Sequence, residues 1–215
     1  MIPLRIITSL EPVSYPDAIM FMDEYVDSII NNNAPGCLWF LEHPHIITGG
    51  TSAEDSDIIS PQNIPIYETG RGGKYTYHGP GQRVVYVMLD LKLFDKDIKR
   101  FVRQLETWLI NSLHTLGLNT HIKDKQVGIW VPNSKNNVES KIAAVGLRIK
   151  RWVTFHGVAI NVSTDLNYFQ GIVPCGIKEL GVTSLHHEGI SIQLPQLDHL
   201  LINEFCKLFK AQAIQ

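Results

Sequence analysis

Short β-rich stretches that follow one another with few helices between them constrain the fold of this chain most strongly. Ten such stretches are rich in β-branched and aromatic residues: 4–10, 37–42, 45–48, 64–67, 74–77, 83–89, 127–131, 141–150, 152–162 and 182–185. Three segments, Pro16 to Asn32, Asp97 to Leu116 and Leu194 to Lys210, repeat apolar residues at the three- and four-residue steps of a helix. This order predicts the α/β (α+β) class, with a mixed β-sheet and flanking helices.

The size and charge of the chain limit the classes of protein to which it can belong. Its 215 residues fit one domain spanning 1–215, and 44% hydrophobic with 19% charged residues is the composition of a globular protein. A net charge of −2 argues against a nucleic acid partner, which requires a basic surface. Apolar runs such as 84–89 are too short to span a membrane, and residues 1–10 lack the pattern of a secretory signal. We therefore expect a soluble protein with no membrane partner.

Three cysteines, Cys37, Cys175 and Cys206, are widely spaced and include no C-x-x-C pair. This pattern predicts neither a disulfide framework nor a thiolate zinc site, and it fits a reducing compartment such as the cytoplasm. Cys175 differs from the other two because Pro174 and Gly176 flank it in a turn-like segment, which holds its sulfur on constrained backbone. A reactive thiol and a small buried hydrophobe are equal alternatives for Cys175 at this point.

Nine histidines raise the question of a metal site, with the H-P-H run at 43–45 and the histidines at 78, 156, 186 and 187 as candidates. The sequence has no H-E-x-x-H, and the proline between His43 and His45 does not set two imidazoles one helical turn apart. Structural or hydrogen-bonding roles are therefore favoured over a metal. The phosphate-binding pattern G-x-x-x-x-G-K-S/T is also absent, so we expect no cofactor.

Residues 71–82, R-G-G-K-Y-T-Y-H-G-P-G-Q, gather four glycines and a proline around one histidine, directly before an apolar strand. Because glycine has no Cβ, this backbone can turn sharply and approach a ligand closely. Arg71, His78 and Gln82 supply polar groups to the same segment. The segment predicts part of a binding pocket, and the alternative is a hairpin connection that closes two strands.

Lys141 begins the run K-I-A-A-V-G-L-R-I-K at 141–150. If this run is one regular strand, alternation puts Lys141 on the same apolar face as Ala143, Val145 and Leu147. An ammonium ion is poorly solvated there, which favours the neutral amine and makes Lys141 a candidate base. The alternative is that Lys141 extends into water from the end of the strand. The polar stretch at 132–140, just before it, predicts a mobile loop.

Taken together, these segments resemble one protein family. The runs R-G-G-K-Y-T-Y-H-G-P-G-Q, S-K-I-A-A-V-G-L-R-I-K-R-W-V-T-F-H-G-V-A-I-N-V and P-C-G-I are similar to the lipoyl(octanoyl) transferases, the octanoyl-acyl carrier protein:protein N-octanoyltransferases of lipoate synthesis. The resemblance extends from L-E-H-P-H-I-I-T-G-G at 41–50 to G-V-T-S-L at 181–185. It implies the fold of the biotin and lipoate protein ligase catalytic domain, a mixed sheet with flanking helices.

The resemblance also implies which residues form the site. The acyl-thioester cysteine falls on Cys175 and the lysine that activates it on Lys141. The implied substrate-binding residues are Arg71, Gly72, Gly73, Lys74, Tyr75, Thr76, Tyr77, His78, Ala144, Val145, Gly146, Gly157, Val158 and Ala159. The chain departs from the family at Val173, where the family often has asparagine, and at 49–51, where it has leucine-glycine-arginine. Neither departure falls on the cysteine or the lysine.

The implied reaction transfers an octanoyl group from octanoyl-acyl carrier protein to a lysine of a lipoyl domain through a thioester on Cys175. This is the first step of endogenous protein lipoylation, and the implied acceptors are the lipoyl domains of 2-oxo acid dehydrogenase complexes and the glycine cleavage H protein. Exchange between thioesters is close to balanced, so the reaction needs no ATP. Arg148, Lys150 and Arg151 are candidate contacts for an acidic carrier, with a solvated strand face as the equal alternative.

Two other functions remain open from the sequence. An ATP-dependent lipoate or biotin protein ligase shares the implied fold, activates its acid as an adenylate and needs no cysteine nucleophile. A non-catalytic acyl-binding module would keep the pocket without the chemistry, and the presence of both Lys141 and Cys175 argues against it.

Overall fold

The structure is a computed structural model that describes residues 1–132, 139–172 and 181–214. Within these ranges the helices are α1 (Tyr15–Ile30), α2 (Ile98–Thr115) and α3 (Leu194–Phe209). The strands are β1 (Ile2–Thr8), β2 (Gly36–Leu41), β3 (Ile46–Gly49), β4 (Ile66–Glu68), β5 (Tyr75–His78), β6 (Gln82–Met88), β7 (His121–Lys123), β8 (Gln126–Val131), β9 (Ser140–Lys150), β10 (Val153–Asn161), β11 (Gly181–Val182) and β12 (Ala211–Ile214).

The three helices confirm the periodicity of the sequence to within two residues at each end. Ser14 caps α1, since its hydroxyl accepts a hydrogen bond from the Asp17 backbone N–H. Asp97 caps α2 in the same way through the Arg100 N–H, at 3.0 Å. Among the described residues, no helix combines the length and the apolar character needed to cross a membrane.

The large sheet has the strand order β12-β1-β2-β6-β10-β9-β8-β7, and β11 pairs with β9 beside it. It is mixed, because β1 is parallel to β12 and β2, whereas β2, β6, β10, β9 and β8 are antiparallel to their neighbours in that order. A smaller sheet has the order β4-β3-β5. The mixed sheet with flanking helices confirms the predicted fold class.

The helices cover both faces of the large sheet. α1 packs on one face, where Met22 and Val26 join the side chains of Trp39 and Tyr86 in one buried cluster. α2 and α3 pack together on the other face, with the Trp108 and Phe205 ring centroids 5.0 Å apart. The central strands β6 and β10 are therefore buried on both faces, which fixes the positions of the side chains they carry.

Two short strands, β7 and β12, depart from the sequence-based predictions. β7 and β12 were not predicted, because short segments such as His121–Lys123 carry too little apolar patterning and become strands by pairing with a neighbour. The Gly-Pro-Gly segment does not close a hairpin, since β5 before it and β6 after it belong to different sheets. Most of the predicted loop at 132–140, residues 133–138, lies outside the described residues.

Candidate active site

A cavity of about 730 Å³ opens along β6, β10 and β9. Its lining includes Lys141 and thirteen of the fourteen predicted substrate-binding residues: Arg71, Gly72, Gly73, Lys74, Tyr75, Thr76, His78, Ala144, Val145, Gly146, Gly157, Val158 and Ala159. The remaining one, Tyr77, does not line the cavity, because its fully buried ring stacks on Tyr168 and its hydroxyl bonds to the Nδ1 atom of His45 at 2.7 Å. Cys175 lies outside the described residues.

Small residues on two paired strands leave the space that the cavity occupies. In the antiparallel pair of β9 and β10, Ala144 lies opposite Ala159 and Gly146 lies opposite Gly157. Opposed residues share one face of a sheet, so these four positions form a strip with almost no side-chain volume. Such a strip can accept a narrow, apolar ligand along the strand direction.

Residues 71–82, called here the glycine-rich segment, lie beside β9 and cover this strip of small residues. The Gly72 N–H donates to the Leu147 carbonyl at 3.0 Å, so the segment continues the sheet there for one hydrogen bond. Gly73 has φ +92°, a conformation that favours glycine, and it turns the chain back toward β5. The segment therefore lines the cavity, and its part in substrate binding stays a prediction.

Arg71 holds this segment in place. Its guanidinium is buried and donates to the carbonyl oxygens of Thr48, Gly72 and Lys74 at 2.6, 3.0 and 3.0 Å. A Cβ atom on Gly146 would lie 3.1 Å from the Arg71 Cδ, so the absence of a side chain at 146 is what lets Arg71 pass. The ammonium of Lys74 is held by Asp57 at 3.0 Å.

A β-bulge determines which way Lys141 faces. The pairing of β8 with β9 shifts register between Ile129, opposite Ala143, and Trp130, opposite Lys141. Ile129 and Ala143 belong to the core under α2. Trp130, the next residue of β8, points to the opposite face of the sheet, and Lys141, its cross-strand partner, lies on that same face. The prediction that Lys141 shares a face with Ala143 is therefore wrong, because regular alternation does not hold across a bulge.

Lys141 is the second residue of β9 and is buried, with 8% of its surface exposed. It does not extend into water. Its Nζ donates to the Val127 carbonyl at 2.9 Å and lies 4.7 Å from the centroid of the Trp130 ring. A carbonyl oxygen and the face of an indole both stabilise a positive charge. The Lys141 Nζ is therefore held by a hydrogen bond and a cation–π contact inside the protein.

Gly128 makes room for this amine. It has φ +128°, and a Cβ atom there would lie 3.1 Å from Cε and 3.2 Å from Nζ of Lys141. Its N–H donates to the buried carboxylate of Glu106, which ties this point of β8 to α2. A glycine inside a strand often marks a bulge or a close approach, so the sequence does carry a signal for the position of Gly128.

Polar side chains form a directed hydrogen-bond chain under the cavity. Arg71 donates to the Thr48 hydroxyl at 2.8 Å, and that hydroxyl lies 3.3 Å from Nε2 of His78. His78 Nδ1 lies 2.6 Å from the Gln82 Oε1, an acceptor, so His78 carries its proton on Nδ1 and accepts at Nε2. The chain fixes both the tautomer and the orientation of His78.

The same chain continues to the strand beside Lys141. The Gln82 Nε2 donates to the Asn161 Oδ1 at 2.9 Å, and the Asn161 Nδ2 donates to the Thr183 carbonyl at 2.9 Å. The Thr183 N–H in turn donates to the Lys141 carbonyl at 3.0 Å. The glycine-rich segment, the cavity and the backbone at Lys141 therefore form one connected polar network.

Three histidines near the cavity are neutral around pH 7. Burial lowers the pKa of His43 to about 4 and the pKa of His78 and His156 to about 3. His43 bonds to the Val13 carbonyl and to the Tyr86 hydroxyl, at 2.6 and 2.7 Å. With both ring nitrogens engaged and such a low pKa, His43 and His78 are poor bases at neutral pH.

His156 has an unusual backbone conformation for a strand residue. Its φ is +60°, which for a residue other than glycine costs about 1–3 kcal/mol. Regular alternation would put it on the face of Val158 and Ile160, but its ring lies on the opposite face, against Tyr15 and Tyr86. The sequence had no signal for Tyr15 or Tyr86, which sit in ordinary helix and strand patterns.

Neither described cysteine is suited to nucleophilic attack. Cys37 is fully buried, and burial raises the pKa of its thiol to about 12. Burial also raises the pKa of the Cys206 thiol, on α3. Within the described ranges, no group of three or more histidine, cysteine or acidic side chains could hold a metal ion.

Comparison with known proteins identifies the family. The sequence profile of the lipoyl protein ligase A/B catalytic domain matches residues 14–206. Octanoyltransferases of Rickettsia bellii and Paramagnetospirillum magneticum are 45% and 49% identical to the chain. The matches cover 96% and 93% of this chain and 100% and 94% of those proteins.

Solved structures show the same fold at low sequence identity. The bi-partite lipoate protein ligase of Thermoplasma acidophilum has a TM-score of 0.72 at 17% identity, over 100% of this chain and 88% of that one. A biotin protein ligase from Aquifex aeolicus has a TM-score of 0.56 at 14% identity, over 97% and 69%. By its profile match and its close relatives, the chain belongs to the lipoyl protein ligase A/B catalytic-domain family and is an acyltransferase of the octanoyltransferase group.

Proposed function

We propose that the chain transfers an octanoyl group from octanoyl-acyl carrier protein to a lysine of a lipoyl domain, through a thioester on Cys175 with Lys141 as the base. The observation that carries this proposal is a buried lysine, Lys141, at one end of a cavity floored by alanine and glycine. Such a cavity suits a straight acyl chain, and the amine suits a reaction that moves protons. The acyltransferase activity of its close relatives supports the same chemistry.

In the first half-reaction, Cys175 gives its proton to Lys141 and its thiolate attacks the carbonyl carbon of the carrier thioester. A new carbon–sulfur bond forms and the carbon–sulfur bond to the carrier breaks. The departing carrier thiolate takes the proton from the Lys141 ammonium. One thioester replaces another, so the step requires no ATP.

In the second half-reaction, the amine of the acceptor lysine attacks the octanoyl thioester. Lys141 removes a proton from the attacking nitrogen, an amide bond forms, and the Cys175 thiolate leaves and is reprotonated. Lys141 thus serves as base and acid in both halves. Its contacts with the Val127 carbonyl and Trp130 ring hold the Nζ in one position for these proton transfers.

Lys141 is a better candidate for this role than the nearby histidines. The pKa of His78 is lowered to about 3 by burial, and both of its nitrogens are hydrogen-bonded within the protein. Cys175 is likewise a better nucleophile than Cys37, whose buried thiol has its pKa raised to about 12. The chemistry of the alternatives therefore supports the pair Cys175 and Lys141.

The proposed partners agree with the charges around the cavity. Lys99 and Lys125 are exposed next to the cavity-lining Ile98 and Gln126, and exposed basic groups favour an acidic carrier protein. Of the predicted contacts, Arg151 is exposed, whereas Lys150 is already paired with Asp27 at 2.7 Å.

For the acceptors, we propose the lipoyl domains of 2-oxo acid dehydrogenase complexes and the glycine cleavage H protein. The fold relative from Thermoplasma acidophilum is the lipoate protein ligase of a lipoylation system that includes its E2 lipoyl domain, and this supports a lipoyl-domain acceptor. We propose one catalytic domain over 1–215, working in the cytoplasm, where a reducing environment keeps the Cys175 thiol free.

Transfer to an isolated lipoyl domain tests this function against that of an ATP-dependent ligase. With octanoyl-acyl carrier protein as donor, the proposal predicts octanoylated acceptor without ATP, and loss of transfer in Cys175→Ser. Transfer that requires octanoate and ATP, and that persists in Cys175→Ser, would instead identify a ligase. Binding of octanoate with no transfer under either condition would identify an acyl-binding module.

A further inference from the structure

The cavity has a floor of three rows of residues that lead away from Lys141. Each row is a cross-strand pair of β6 and β10: Gln82 with Asn161, Val84 with Ala159, and Tyr86 with Gly157. The first row is next to Lys141, through the hydrogen bonds of Asn161 and Thr183. At about 3.3 Å per residue, the first and third rows are about 13 Å apart. An extended eight-carbon chain, with bonds of about 1.5 Å, is about 9 Å long.

His156 lines the cavity beside the third row. Its φ of +60° turns the ring onto the cavity face, where its Nε2 lies 3.1 Å from the Tyr15 hydroxyl and its ring centroid lies 5.9 Å from that of Tyr86. The side chain is 4% exposed, and its Nδ1 has no hydrogen-bond partner among the residues that the structure describes. A strained backbone and an unpartnered buried nitrogen on one residue point to a functional reason for its position.

We infer that His156, positioned by Tyr15, is the end wall that sets the length of the acyl chain. This inference rests on the proposed function, in which the thioester carbonyl lies next to Lys141. An alkyl chain that reaches His156 Nδ1 separates that nitrogen from water and offers no hydrogen bond in exchange. A chain of about eight carbons, about 9 Å long, ends before the His156 ring. In a longer chain, the additional carbons would contact the ring.

The conformation of His156 explains why the wall is a histidine. Residues with positive φ are mostly glycine, with asparagine, aspartate and histidine the commonest others. Glycine has no ring to close the cavity, and a regular strand residue at 156 would point to the α2 side of the sheet. Histidine fills the space and accepts the backbone conformation.

The test is the chain-length preference of His156→Gly, a change that removes the ring and also relieves the positive φ. S-acyl pantetheines with acyl chains of six, eight, ten and twelve carbons serve as donors. The rate of acylation of the enzyme by each donor is measured by intact mass. We expect the ratio of the twelve-carbon to the eight-carbon rate to rise at least about tenfold, the usual effect of pocket space for one or more methylenes.

Val84→Ala is the control, because it enlarges the cavity at the second row, away from His156, although it removes less volume than His156→Gly. It should change the rates for all chain lengths about equally. An unchanged length ratio in His156→Gly, or the same change of ratio in Val84→Ala, overturns the end-wall assignment.

A second measurement separates this inference from the proposed function. In a Cys175→Ala background, binding of free octanoate, decanoate and dodecanoate is measured by thermal shift. One outcome is that His156→Gly improves dodecanoate binding relative to octanoate while Cys175 is never acylated in the native chain. That outcome supports His156 as the end wall and contradicts the proposed thioester chemistry. If Cys175 is acylated and neither measurement changes its length preference in His156→Gly, the chemistry stands and the wall is wrong.

Discussion

The Nζ atom of Lys141 lies 4.7 Å from the centroid of the Trp130 ring, on the face of the sheet opposite to Ile129. A register shift between Ile129 and Trp130 produces this arrangement, since without the bulge Lys141 would point into the core under α2. The position of the proposed base thus depends on one irregularity in the pairing of β8 and β9.

Replacing Lys141 should slow the chemistry of the Cys175 thiol. We expect Lys141→Ala to reduce the rate of Cys175 alkylation near pH 7 by at least about tenfold, because the thiolate loses its proton acceptor. The rate of iodoacetamide labelling, located by peptide mass, measures this.

Lys123→Ala is the matched control for that variant. Its Nζ lies 4.9 Å from the same Trp130 ring, but it pairs with Glu139 and does not line the cavity. It should leave the labelling rate almost unchanged, as should His78→Ala. If His78→Ala abolishes labelling while Lys141→Ala does not, a cysteine–histidine pair is the better description.

Gly128→Ala should disturb the Lys141 amine as well as the fold. The added methyl would lie 3.2 Å from Nζ, and the positive φ costs about 1–3 kcal/mol of unfolding free energy. We expect slower Cys175 labelling and slower octanoyl transfer than the loss of stability alone can explain. Gly117→Ala separates the two effects, because Gly117 has φ +80° and no atom of the described part of the chain lies within 4 Å of an added Cβ. Equal loss of activity in both variants would remove the special role of Gly128.

Gly72→Val should narrow the acyl cavity without straining the backbone. Among the described residues, a Cβ atom at 72 would meet only the Leu147 carbonyl, at 3.9 Å, so the thermal midpoint should change little while octanoyl transfer falls. Six-carbon donors should be less affected, because a shorter chain needs less of the cavity. Gly73→Val is expected to lose stability as well, owing to its φ of +92°. A parallel loss of stability and activity in Gly72→Val, with unchanged chain preference, would return the segment to a purely structural role.

The buried histidines should make the protein less stable in acid. His43, His78 and His156 have folded-state pKa values of about 4, 3 and 3, below the ordinary value of 6.5, so unfolding takes up protons below about pH 6.5. The unfolding free energy should fall as the pH decreases from 6.5 toward 4, by up to about 4 kcal/mol per pH unit for three groups.

Urea unfolding at a series of pH values measures this dependence. Asp198, whose pKa burial raises to about 6, contributes in the opposite direction, since the folded state favours its protonated form and its contribution decreases as the pH rises from about 4 to 6. His78→Gln should reduce the proton uptake by about one. A stability that is flat between pH 6.5 and 5 would contradict the neutral, buried state of these histidines.

Sequence patterns predicted the class of the fold and most of the cavity. The three helices and the small residues on β9 and β10 follow from periodicity and residue type, which act locally. The sheet face on which Lys141 lies could not be predicted from the sequence, because the bulge depends on how β8 pairs with β9. Tyr15 and Tyr86 reach the cavity only through tertiary packing, and the ring of His156 does so through a positive φ that no pattern announces.

The intact mass of the protein after mixing with octanoyl-acyl carrier protein tests the central proposal most directly. The proposal predicts one added octanoyl group, removed by hydroxylamine and located by peptide mapping on Cys175, with no ATP in the mixture. An octanoyl group on Cys37 or Cys206, or no adduct from a folded protein and an intact donor, would contradict the thioester on Cys175.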